Sequence, residues 1–137
     1  MEENSRLLIA FSGKQGSGKT TAAEYLVNKY NFKKISFSDK IKEIAMDLFG
    51  LNHEQTFGKE KNRESLQNIG YYMREIDKHV WINYLVRKIK NSNENLVIDD
   101  LRMKTELDAL RAIGFKIIRI ECPKEVRTKR ISCYNRE

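Results

Sequence analysis

The hydrophobic pattern opens with Arg6-Leu7-Leu8-Ile9-Ala10-Phe11-Ser12 and stops at Gly13. A run apolar at nearly every position suits a central parallel strand, buried on both faces. From Gly18 to Tyr30 the period becomes that of a helix, with Ala22, Ala23, Leu26 and Val27 on one face. Residues 33–37 predict a second strand. Ser38 or Asp39 can then cap a helix that carries Ile41, Ile44, Ala45, Leu48 and Phe49 and ends at Gly50. After a polar stretch at 52–61, two helices are expected over 62–77 and 79–91. A strand at 95–99, a helix at 104–113, a strand at 115–122 and a helix starting near Lys124 complete the pattern.

Strands alternating with helices predict an α/β fold in three layers. Its parallel sheet would have about four to five strands, with helices on both faces and right-handed crossovers. Ligands of such sheets lie beyond the carboxyl ends of the strands. Ser12-Gly13, Ser38-Asp39 and Asp99-Asp100 all fall at that edge, so one cleft is expected there. No repeat, low-complexity tract or composition break divides the 137 residues, which read as a single domain.

Composition narrows the function classes. The chain is 40% apolar with one proline, enough for a core and too little proline for a linker. No run of about 18 apolar residues exists, so no membrane partner is expected. The acidic, polar start Met1-Glu2-Glu3-Asn4 is not that of a secretory signal. Cys122 and Cys133 form no CxxC pair and have no metal-ligand spacing with His53 or His79. They read as structural thiols of the cytoplasm, or of the host cytoplasm for a viral chain. The net charge of +7 suits a polyphosphate, nucleic acid or an anionic surface, but it is scattered and not interleaved with aromatic residues.

Gly13-Lys14-Gln15-Gly16-Ser17-Gly18-Lys19-Thr20 matches GxxxxGK[ST] in full, after a strand and before a helix. Glycines at 13, 16 and 18 let successive backbone N–H groups turn toward phosphate oxygens, and the helix start adds its partial positive charge. In this P-loop Lys19 would reach the β- and γ-phosphates of ATP, with Thr21 following in the same helix start. The Thr20 hydroxyl would bind Mg²⁺. Lys14 either adds a contact or stays solvated.

At about 100° per residue, Arg63, Gln67, Gly70, Arg74 and Asp77 fall in a stripe about 80° wide. Leu66, Ile69, Met73 and Ile76 form a separate apolar face. Two arginines around a Gln–Gly pair suit a small ligand: planar donors for phosphate, an amide for a base edge, and no side chain where a flat ring would lie. The plain alternative is a solvated face, with Gly70 allowing a close helix contact. Asp39, Asp99 and Asp100 stand at strand ends, where a carboxylate can orient Mg²⁺ or its water, or simply cap a helix. Arg102 can meet phosphate or pair with an acid.

Together these residues resemble the deoxynucleoside monophosphate kinases of phage type, within the P-loop nucleoside monophosphate kinase group. The resemblance runs along nearly the whole chain. It takes in the P-loop, Phe37-Ser38-Asp39-Lys40-Ile41-Lys42, and Arg63-Glu64-Ser65-Leu66-Gln67-Asn68-Ile69-Gly70. Arg74, Asp77 and Trp81 follow, then Asp100-Leu101-Arg102-Met103-Lys104-Thr105-Glu106. The family's Asp-Val-Arg-Phe-x-x-Glu favours Asp100 over Asp99 for Mg²⁺, through water. The resemblance implies γ-phosphoryl transfer from ATP to a (deoxy)nucleoside monophosphate. Lys19 would act with Mg²⁺ on the donor. Asp39, Lys42, Arg63, Gln67, Gly70, Arg74, Asp100 and Arg102 would surround the acceptor, with residues 52–92 as a helical acceptor-binding insertion.

Such kinases continue into an arginine-bearing lid, a fifth strand and a last helix. Residues 123–137 resemble the start of that lid, with Arg127, Lys129 and Arg130, and the lid and last strand are expected to be truncated. Arg130 would be its catalytic arginine. Either the chain is a shortened form, or it closes its site differently, for instance as a homodimer. Other readings are a P-loop kinase for another small acceptor, such as dephospho-coenzyme A or phosphomevalonate, and a nucleotide-binding module without kinase activity. The third, a nucleic-acid-binding NTPase, fits the Arg–Gln–Gly–Arg face less well, so nucleic acid is not an expected partner.

Overall fold

The computed structural model describes residues 6–58 and 60–134, with side chains of the last helix described as far as Lys129. The Met1–Asn4 start lies outside these residues. Four strands are β1 (Leu8–Ser12), β2 (Lys33–Ile35), β3 (Leu96–Ile98) and β4 (Lys116–Arg119). The helices are α1 (Lys19–Tyr30), α2 (Asp39–Phe49), α3 (His53–Thr56), α4 (Arg63–Ile76), α5 (Val80–Lys90), α6 (Lys104–Ala112) and α7 (Lys124–Tyr134). The chain divides into two compact units, one of Met1–Ser36 with Lys88–Glu137, the other of Phe37–Arg87.

The first unit holds the sheet, ordered β2-β3-β1-β4 and parallel at every junction. Side chains alternate along a strand. Phe11 of β1 and Val97 of β3 therefore join Ala23 of α1 and Phe32 in one buried cluster, with Ala22, Leu26 and Val27 packed beside it. Leu96 and Ile98 point the other way and are buried as well. Both faces of β3 are thus closed to water, as its continuous apolar run requires.

Strand ends follow pairing rather than hydrophobicity. Ile35 aligns with Ile98 and Ser12 with Arg119, so β2 and β4 stop where their partners stop. That makes them shorter than the apolar runs at 33–37 and 115–122. The carboxyl ends of β1 and β3 lie along one edge, as expected for Ser12-Gly13 and Asp99-Asp100. Beyond β2 the chain enters the second unit at Phe37, which carries Ser38-Asp39 with it.

In the second unit, Ser38 occupies the N-cap of α2, with its carbonyl accepting from Lys42 N at 3.1 Å and its hydroxyl making no capping bond. Asp39 lies in the first turn, where a carboxylate meets the positive end of the helix. Ala45 is buried and Ile41 and Ile44 half-buried, but Leu48 and Phe49 are exposed, so the apolar face of α2 is covered only in its first turns. The polar stretch at 52–61 contains α3, unforeseen from its pattern. Asn52 Oδ1 accepts from Gln55 N at 2.9 Å, and Gln55 Oε1 accepts from Asn52 N at 2.9 Å, a closed capping box.

The face of α4 departs from the helical-wheel expectation at two places. Asp77 has left the helix, with extended φ −146° and ψ 110°, and its Oδ1 accepts from His79 N at 3.0 Å. A wheel assumes that the helix continues, so Asp77 drops out of the polar stripe, and Ile76 in the last turn is exposed. Gly70 is buried: a Cβ there would stand 3.3 Å from Ile41 Cδ1 of α2, and its carbonyl accepts from Trp81 Nε1 at 3.1 Å. The close contact between α2 and α4 thus supplies a packing reason for this glycine. Gly70→Val should overfill that contact and cost about 1–3 kcal/mol, read as a lower urea midpoint. An unchanged midpoint would mean that Ile41 yields freely.

Candidate functional site

In the first unit, β1 ends at Ser12 and the chain turns back on itself before α1. Two glycines show why. Gly13 has φ +149°, and a Cβ there would meet Ile120 O at 2.6 Å and Ser17 Oγ at 2.7 Å. Gly16 has φ +81°, and its Cβ would meet Arg127 O at 3.0 Å. Both φ values disfavour any residue but glycine, and at Gly13 there is also no space for a side chain. A turn from Ser17 N to Lys14 O, 3.0 Å, closes the loop.

Helix α1 then starts at Lys19 with Gly18 as N-cap, so no side chain caps it and no acid stands in its first turn. The leading N–H groups of a helix have no intrahelical partner. Here they lie beside Lys19, Thr20 and Thr21, a setting that favours an anion. Lys14, Thr20 and Thr21 are exposed. Ser17 is buried, and its hydroxyl makes no hydrogen bond among the described residues.

Charge sharpens this picture. Burial, and next the like charge of Arg102, push the Lys19 ammonium below its ordinary value of 10.5, while Asp99 and Asp100 oppose the shift. Asp99 is engaged by Lys34 Nζ at 3.4 Å, with little of its carboxylate exposed. Asp100 is half-buried. The exposed Arg102 guanidinium makes no hydrogen bond or ion pair among the described residues. Two cations therefore share one corner of the unit, with two carboxylates beside them. The nearness of Arg102 to Lys19 follows from the parallel pairing of β1 and β3, whose exits were expected at one edge.

In the second unit, Arg63, Gln67 and Arg74 are exposed on α4, and Asp39 is half-buried. Lys42 Nζ stands 4.8 Å above the Phe57 ring centroid, a cation–π contact that its sequence neighbours do not announce. Arg130 belongs to α7, but its side chain lies outside the described residues, as does that of Cys133.

The protein-family profile described as an AAA domain matches residues 9–135. A protein of Acanthamoeba polyphaga mimivirus, provisionally named a deoxynucleotide monophosphate kinase, is 30% identical over 144 residues, covering 85% of this chain and 75% of that one. TT1252 from Thermus thermophilus shares the fold with a TM-score of 0.59 and 14% identity, over 96% of this chain and 74% of that one. A gluconokinase from Sinorhizobium meliloti 1021 does so with a TM-score of 0.54 and 16% identity, over 98% and 69%. These two structures speak for the fold alone, a parallel sheet with helices as in P-loop kinases.

Lys19→Met should abolish nucleotide binding in calorimetry and leave the melting temperature of the free protein equal or higher. The lowered ammonium pKa means that the unfolded chain binds the proton more tightly. Below the folded pKa the wild-type protein carries that full cost; as pH rises through it toward 10.5 the cost is relieved. Wild-type stability should therefore gain on the variant over that interval, and a gap that widens instead would remove the crowding from the account.

Proposed function

The chain belongs to the P-loop nucleoside monophosphate kinase group, and from that premise we propose that it transfers the γ-phosphoryl group of ATP to a (deoxy)nucleoside monophosphate. The observation that carries the reading is the loop with no room for a side chain at Gly13, leading into an uncapped helix start that bears Lys19, with the charge of Arg102 acting on that lysine. That arrangement awaits a polyphosphate. The name of the mimivirus relative supports a nucleoside monophosphate as acceptor.

In this reading the loop N–H groups and Lys19 hold the β- and γ-phosphates. An acceptor phosphate oxygen forms a bond to Pγ while the bond to the β,γ-bridging oxygen breaks and ADP leaves. Such transfers pass through a loose transition state, so positioning and charge neutralisation do most of the catalysis. The Thr20 hydroxyl and the Asp100 carboxylate are hard oxygen donors of the kind Mg²⁺ takes with phosphates, and they would hold it. When bound, the ion supplies neutralising charge on the β- and γ-oxygens. Arg63 and Arg74 would grip the acceptor phosphate, Gln67 its base edge, and Asp39 and Lys42 would flank it. Arg130 would add charge from α7.

A screen of ribo- and deoxynucleoside monophosphates with ATP and Mg²⁺ should give ADP only when an acceptor is present. Release at an undiminished rate without any acceptor would replace transfer by hydrolysis. Arg74→Ala should raise the acceptor KM by about tenfold, the size of one charge-assisted hydrogen bond, and leave the ATP KM in place. Equal loss of both would take Arg74 out of the acceptor site.

A further inference from the structure

The segment leaving β3 is pinned on both sides of Arg102. Behind it, Asp99 is tied to Lys34 at 3.4 Å and the Leu101 side chain is buried. Ahead of it, one carboxylate oxygen takes two backbone donors. Glu106 Oε1 accepts from Arg102 N at 2.9 Å and from Met103 N at 3.0 Å. Glu106 itself is only 7% exposed, on the first turn of α6. A buried carboxylate is costly to keep and is retained where it is well bonded. The backbone at Arg102 is thus fixed, while its guanidinium makes no hydrogen bond or ion pair among the described residues.

Reaching back from the third helical position to the cap is half of a capping box, and a cap alone could account for the bond to Met103. It does not account for the bond to Arg102, which lies one residue outside the cap. We infer that Glu106 is a positioning residue, whose carboxylate sets the main chain so that Arg102 serves as the second cation, beside Lys19, on a bound triphosphate. Glu106 touches no ligand in this arrangement and acts only through Arg102. The inference rests on the nucleotide-binding reading of the loop, but it does not need the chain to be a kinase.

ATP binding, measured by calorimetry, tests it without reference to turnover. Arg102→Ala should weaken ATP by about tenfold, the size of one charge-assisted hydrogen bond, and Glu106→Ala should do the same. The double variant should be no weaker than Arg102→Ala alone, because residues acting as one unit are not additive. Glu106→Gln retains an acceptor oxygen and should recover most of the affinity. Glu106→Asp, one methylene shorter, should not, and it replaces Glu106→Ala if the latter fails to fold. Melting temperatures serve as the control for a purely structural role. ATP binding by Glu106→Asp at full strength, an added loss in the double variant, or an Arg102→Ala that binds ATP normally would each overturn the inference. Should the cycle behave as expected while no acceptor is phosphorylated, the kinase reading falls and the positioning role stands.

Discussion

β1 lies between β3 and β4, and its backbone donors and acceptors are taken up on both edges. Buried N–H and C=O groups are costly to leave unpaired, so this double pairing fixes β1 in register and in length. Ser12 and Arg119 end their strands opposite each other, and Ile120 N closes the ladder on Ser12 O at 2.8 Å. Just beyond, the Ile120 carbonyl stands where a Cβ on Gly13 would lie. The loop, the start of α1 and the placing of Lys19 all follow from where the ladder ends.

The electrostatic arrangement follows from the same geometry. Parallel pairing brings the exits of β1 and β3 side by side, which sets Lys19 near Asp99, Asp100 and Arg102. In a protein free of ligand this is an uneasy grouping, since two like charges sit together and one is partly desolvated. The two aspartates beside them oppose that strain on Lys19, and Asp99 is at the same time paired with Lys34 of β2 at 3.4 Å.

Much of this was readable in the sequence, and the unreadable parts have physical causes. Continuous apolar runs and a 3.6-residue period mark β1 and α1 because burial writes itself into composition. The loop glycines are readable because only glycine tolerates their backbone angles. The ends of β2 and β4 are not, since they depend on the register of a partner strand. Nor is the packing of Gly70, because a helical wheel gives a direction and not the neighbour found there. Asp77 misled for a related reason: its angle on the wheel has meaning only while the helix continues. Asn52 and Gln55 did spell a capping box, but α3 is too short to show a period. At α6 the cap is Met103, so the usual Ser or Thr signal was missing before Glu106.

The contact between Gly16 and the backbone of Arg127 has a consequence for how the loop should be regarded as a unit. Its eight residues are contiguous and look portable, as though they could be grafted wherever a strand meets a helix. Yet the space that requires Gly13 is bounded by Ile120, and the space that requires Gly16 by Arg127, both encoded far downstream. A chain emerging from the ribosome therefore has its loop sequence long before it has the backbone that closes in on those two glycines.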